Sequence, residues 1–360
     1  MRQMLIEIKN FFEEEKFYFY LLVVVVSLYT AIFFVNKTAR EQQHVTDQPA
    51  KAEQTEMMPS PEVIERGLRQ RPQLLKQVKL FALVSSGVFG VGVSLTFLAF
   101  GRWRARKSLI PESSRALHIS WGVRELIKVG ILFFWFGIVL NLILAILKIL
   151  FLVDVDSFVL ILVHTLIVDA IVVFFMAAAV KRSGSNFSDL FGFGTVPNLL
   201  REVWVGFYTY VAILPAFLSL LVMVVFIANQ ISYEPPPHPL VEIFLKEKPA
   251  SPWVLVFSLL LACGLGPIVE EIFFRGFFYP ALRKYWGTRW AMGVTAALFA
   301  LVHENLFSFL PIFFLGLVLC YLYEKRKGIL ASISLHVLHN SAFIIYFFLM
   351  RSIVFPGAVG

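Results

Sequence analysis

The sequence predicts an all-α polytopic membrane protein of about nine transmembrane helices, with its chemistry-bearing residues in the last four. Three observations predict it. Of 360 residues, 58% are apolar and only 16% charged, and the mean hydropathy is +0.76, the composition of a chain that lies mostly in lipid. Apolar runs of spanning length recur from one end to the other. The Lys and Arg residues behind the net charge of +8 collect in short segments between those runs, where orientation and headgroup contact require them. A soluble chain of that charge would suggest nucleic acid; this placement argues for the lipid bilayer as partner and against nucleic acid.

The elements follow in order. Met1–Lys16 is a mixed-charge, helix-like segment, and Phe17–Val35 is the first span. No small-residue cleavage site follows it, so it is expected to stay as a signal anchor. The polar stretch 36–79 is Gln-, Glu- and Pro-rich in its first half, with the composition of disorder, and helical in character from Pro61 onward. Span two is Leu80–Phe100, followed by the basic run Arg102, Arg104, Arg106 and Lys107 and by an interfacial amphipathic helix over Leu117–Lys128. Spans three and four, about Val129–Val153 and Phe158–Val180, are joined by a short turn with Asp154 and Asp156. Ser183–Asn198 reads as a re-entrant or interfacial connector to span five, Val203–Ala228. A Pro-rich loop with a short turn at Leu240–Lys248 leads to span six, Trp253–Pro280. Spans seven to nine are about Trp290–Glu304, Phe307–Tyr323 and Ile329–Met350. Nine spans with a cytoplasmic N-terminus put every dense basic cluster on one face of a cell membrane. We divide the chain into a two-span extension, 1–128, with an extracytoplasmic loop at 36–79, and a core, 129–360.

Within span six, Gly266–Gly276 reads GPIVEEIFFRG and places Glu270, Glu271 and Arg275 in lipid. Each such group costs about 2.5–3.5 kcal/mol on insertion scales, so three in two turns imply a use. His303 lies in span seven, and His336, His339 and Asn340 lie in span nine. Counting about 1.5 Å per residue from each basic inner end puts Glu270, His303 and Asn340 roughly 20 Å deep, with His336 one turn shallower. Glu271 and Arg275 are spaced i, i+4 and pair on one face, and Glu270 points about 100° away. His336 and Asn340 share the same spacing. A carboxylate facing imidazoles and an amide suits hydrolysis: Glu270 as general base on a water, His303 holding or polarising that water, His336 and Asn340 donating to the oxyanion. The same side chains, Glu270, His303 and His336, are the ligand set for a zinc ion with an open position for water, and the metal-free glutamate mechanism is its alternative. A zincin motif is excluded, because HExxH starting at His303 would need His where Phe307 stands.

At these residues the chain resembles the CPBP intramembrane proteases, which include the CAAX prenyl endopeptidases and bacteriocin-processing or immunity proteins. Their ordered signature, EExxxR, FxxxH and HxxxN, is met by Glu270-Glu271-xxx-Arg275, Phe299-xxx-His303 and His336-xxx-Asn340. The run GILASISLH ending at His336 is similar as well. The resemblance covers about Asn186–Phe348. It implies an intramembrane peptidase acting on a membrane-associated peptide or protein, with Glu270 and His303 activating water, His336 and Asn340 forming the oxyanion site, and Glu271 and Arg275 in support. The rival reading is a non-catalytic transporter or peptide-binding scaffold that uses Glu270, Asp169 and the histidines as relays. His164, Asp169 and Asn141 otherwise read as interhelical hydrogen-bonding groups, His339 as a packing residue, and Cys263 and Cys320 as small buried hydrophobes.

Overall fold

Pro72 sits at the start of a helix, where its missing N–H costs nothing, and the helix runs unbroken to Arg104. That pattern, a polar start and a long apolar body, recurs along the chain. The computed structural model describes residues 2–46, 65, 68–114, 119–151, 157–191, 198–233, 252–303 and 305–354. Its helices are α1 (Arg2–Glu14), α2 (Lys16–Thr46), α3 (Pro72–Arg104), α4 (Val123–Phe151), α5 (Ser157–Arg182), α6 (Leu199–Gln230), α7 (Pro252–Leu260), α8 (Gly266–Glu271), α9 (Tyr279–Leu301), α10 (Leu306–Arg326) and α11 (Leu330–Val354). No strand occurs among the described residues. The protein is an all-α, multi-pass membrane protein.

Among the described residues, eight helices are long and apolar enough to cross a bilayer, one fewer than expected, and the difference lies in Trp253–Leu301, a run of 49 residues. Straight, it would extend roughly 73 Å, more than twice the hydrocarbon thickness. It is two helices joined without a loop, broken at Gly287, whose φ of 70° and ψ of 176° lie in a region that favours glycine. Expected spans six and seven are its two limbs.

Two other expectations are revised. Helix α2 continues to Thr46, so the first residues of the polar stretch are helical and prolong the first span's helix. No separate interfacial helix forms over residues 119–128, the described part of Leu117–Lys128: the helix begins at Val123 and runs straight into the third span. Gly122 N donates to Glu125 Oε2 at 2.8 Å, fixing that start. The connector after α5 contains a short 3₁₀ turn, Phe187–Phe191, whose Leu190 is fully buried. The expected turn at Asp154 and Asp156, the stretch from residue 47 towards Pro61, the turn at Leu240–Lys248 and Glu304 lie outside the described residues.

The core is assembled by close helix contacts. α6 packs against α3, α10 and α11, α9 against α10, and α8 against α11. Pro215 interrupts the ladder of α6, and a Cβ on Gly92 would come within 2.5 Å of the Val211 carbonyl, four residues before the proline. Thr96 Oγ1 donates to Ala212 O at 2.7 Å in the same place. Small and hydroxylic residues thus close α3 onto α6, as in other membrane bundles. At the basic end, Arg326 makes a bidentate pair with Glu202 at 2.6 and 2.9 Å and also donates to Pro111 O.

Candidate active site

The site begins with two prolines. Pro267 and Pro280 have no N–H, and each follows directly on the residue that closes a π-helical turn, Leu261–Leu265 and Ile272–Phe278 respectively. Gly266 N reaches back five residues to Leu261 O, so Ala262 O loses its i+4 donor, and its i+5 neighbour is Pro267. That carbonyl, orphaned in an apolar span, accepts from Asn340 Nδ2 at 2.9 Å. The second turn closes the same way, with Tyr279 N on Phe274 O. Trp121 Nε1 donates to Phe277 O at 2.9 Å, and the Trp121 ring stacks on Phe277. Glu270 and Glu271 are held between these two widened turns.

Gly276 lets the second turn approach the connector: a Cβ there would meet Leu190 O at 2.4 Å. Gly316 does the same on α10, where a Cβ would lie 3.0 Å from Ala296. Its carbonyl accepts from Arg275 Nη2 at 3.3 Å.

Glu271 and Arg275 are both 0% exposed, and Arg275 Nη1 donates to Glu271 Oε1 at 2.7 Å. The same oxygen lies 3.0 Å from His336 Nδ1. A carboxylate on Nδ1 fixes the proton there and leaves Nε2 facing Glu270 Oε2 at 3.8 Å. Glu270 differs from its neighbour in that its side chain is 37% exposed. Phe299, buried on α9, packs edge-to-face with His336 at 5.6 Å and with His303 at 5.1 Å, and its ring lies 4.4 Å from the Arg275 guanidinium carbon. His303 Nδ1 donates to Phe299 O at 2.7 Å, so its Nε2 is left as an acceptor.

The structure therefore brings Glu270, Glu271, Arg275 and His336 together and sets His303 against Phe299, the ring that His336 also touches. Asn340 lies on the same helix as His336, with one amide N–H committed to Ala262 O. His339 faces away, against Tyr210 and Phe217. His164 Nε2 lies 3.4 Å from Gly137 O across to α4. Asp169, on a helix packed against α7 and the second π turn, is an electrostatic neighbour of Glu270.

Two features escaped the sequence reading. The contact between Glu271 and His336 joins two motifs 65 residues apart, and spacing within a helix says nothing about it. The Asn340 bond to Ala262 was foreshadowed by Pro267, which signals a carbonyl in need of a donor. Among the described residues, no group of three or more His, Cys, Asp and Glu side chains is arranged to hold a metal ion. Nδ1 of His336 and Nδ1 of His303 are both engaged by the protein itself.

A multi-pass helical protein with a buried carboxylate–imidazole–guanidinium cluster and a second, accessible carboxylate at its edge has the equipment of a hydrolase working inside the bilayer. Residues 252–342 match the family described as Rce1-like, type II CAAX prenyl endopeptidase Rce1-like. The chain thus carries a CPBP-type intramembrane protease domain, and its activity class is that of a hydrolase, an intramembrane endopeptidase. Every residue of the three motifs falls within the match, whereas 186–251, included in the resemblance, falls outside it. No curated protein and no solved structure is matched by this chain.

Proposed function

We propose that the protein hydrolyses a peptide bond of a membrane-associated substrate with a water activated by Glu270. The observation that carries this reading is the contrast between adjacent carboxylates: Glu271 is fully buried and committed to Arg275 and His336, whereas the Glu270 side chain is 37% exposed and turns its Oε2, buried and without a hydrogen-bond partner, toward His336 Nε2. A base must reach its water, and Glu270 is the carboxylate that does. As water attacks the carbonyl carbon, its proton passes to Glu270. Negative charge develops on the carbonyl oxygen and is met by donors. His336 serves when its Nε2 carries a proton, a charge that Glu271 offsets through Nδ1. The second N–H of Asn340 is the other donor. Collapse breaks the C–N bond, and Glu270 returns its proton to the leaving amine. His303, through Nε2, holds the water. Every step above is assigned to side chains alone.

The family's description supplies the first substrate to try. In proteoliposomes offered a fluorogenic farnesylated CAAX-type peptide and its unprenylated counterpart, the wild-type chain cleaves and Glu270→Gln loses at least roughly 10²-fold in kcat, the scale of one general base. Cleavage of both peptides marks general processing; cleavage of the farnesylated one alone marks prenyl-protein processing. Retention of wild-type turnover by Glu270→Gln refutes the mechanism. The transporter reading has one feature in its favour, the electrostatic coupling of Asp169 to Glu270. It requires that Asp169→Asn, with cleavage intact, abolish a proton flux measured in the same liposomes.

A further inference from the structure

Arg275 is fully buried, and its guanidinium is incompletely satisfied. Nη1 is bonded to Glu271 and Nη2 reaches Gly316 O at 3.3 Å, but Nε has no hydrogen-bond partner. A buried cation with a free N–H needs another source of stabilisation. The group that covers it is Phe299, 1% exposed, its ring centroid 4.4 Å from the guanidinium carbon. Phe274 is a second, more distant ring at 5.8 Å. A ring face carries negative quadrupole, and water is excluded from this contact, the condition under which a cation–π interaction is strongest.

We propose that Phe299 is a positioning residue of the catalytic site: the face of its ring holds Arg275, which fixes Glu271, which in turn fixes the tautomer and aim of His336. The sequence of contacts is unbroken: ring to guanidinium at 4.4 Å, Nη1 to Glu271 Oε1 at 2.7 Å, Oε1 to His336 Nδ1 at 3.0 Å. The same ring makes T-shaped contacts with both histidines. Its electrons therefore matter as well as its bulk. The kinetic consequence rests on the glutamate-activated reading above, but the structural consequence does not.

A graded test separates electrons from bulk. Phenylalanines bearing one, three and five fluorines are installed at position 299 by codon suppression, which withdraws ring electron density with little change of shape. In detergent micelles with the farnesylated fluorogenic peptide, kcat falls monotonically along the series, by roughly tenfold or more at the pentafluoro ring, with KM within about twofold. In protein carrying ¹⁵N-labelled histidine, whose seven residues include His336 (assigned by its loss in His336→Gln), the single Nδ1–H tautomer of the unmodified chain gives way to a mixture. Thermal unfolding monitors the fold, and Phe299→Leu, which lacks the ring, shows both changes. An unchanged kcat along the series, or a fall in kcat with His336 resonances unmoved, overturns the proposal. If the peptide is not cleaved even by the unmodified chain, the His336 resonances decide alone. Glu270→Gln is assayed alongside: turnover retained there removes the glutamate mechanism, and the resonances still judge Phe299.

Discussion

At the residue scale, the most expensive groups in the chain are Glu271 and Arg275, two full charges with no exposure inside a span. Each exists only because of the other. Removing one leaves an uncompensated buried charge, so Arg275→Met is expected to destabilise the protein by about 3–5 kcal/mol, measured by steric-trap unfolding in bicelles. The double variant Glu271→Gln with Arg275→Met should recover part of that loss, because both charges are then gone. Equal instability of the single and double variants would show that the pair is not the unit that matters. The pairing itself was legible from the i, i+4 spacing of Glu271 and Arg275, as was the separate orientation of Glu270. Contacts between helices were not: that Glu271 meets His336, and that Phe299 sits between two histidines and a guanidinium, depends on packing to which sequence spacing is blind.

At the element scale, the site is made by departures from regular helix. Both π turns are closed by the residue that precedes a proline, and the first leaves a carbonyl, that of Ala262, for a distant donor, Asn340. Pro267 and Pro280 mark these places in the sequence, yet a proline reads equally as a kink, and only the folded chain shows the ladder widening by a residue instead. The second turn also depends on Gly276, which has no room for a Cβ against the Leu190 backbone. Gly276→Ala is therefore expected to cost about 1–3 kcal/mol in the same unfolding measurement and to lower cleavage, since the turn also carries Arg275. A variant as stable and active as the wild type would mean that the connector moves aside freely. The positions of the spans were largely legible because hydropathy reports burial in lipid directly. Their ends were not, since polar residues such as those of 36–46 continue a helix begun in the membrane, and a break such as Gly287 replaces a loop with one residue.

At the scale of the whole molecule, the matched segment 252–342 brings all three motifs together, and the other helices pack on it from more than one side, α6 against α10 and α11 and α5 against α7 and the second π turn. The three motifs are thus confined to about a quarter of the sequence. The order and spacing of motifs on successive helices made that quarter recognisable without a structure. The substrate was not recognisable, because lipid-facing and substrate-facing apolar residues look alike in a sequence. The central claim is that Glu270 makes this protein a protease. It is tested most directly by comparing the terminal peptides of the membrane proteome in cells carrying the wild-type chain or Glu270→Gln, with both proteins folded and equally abundant. The account predicts new termini present with the wild type and absent with the variant, clustered at membrane-proximal bonds. Identical sets of termini across several growth conditions would contradict it.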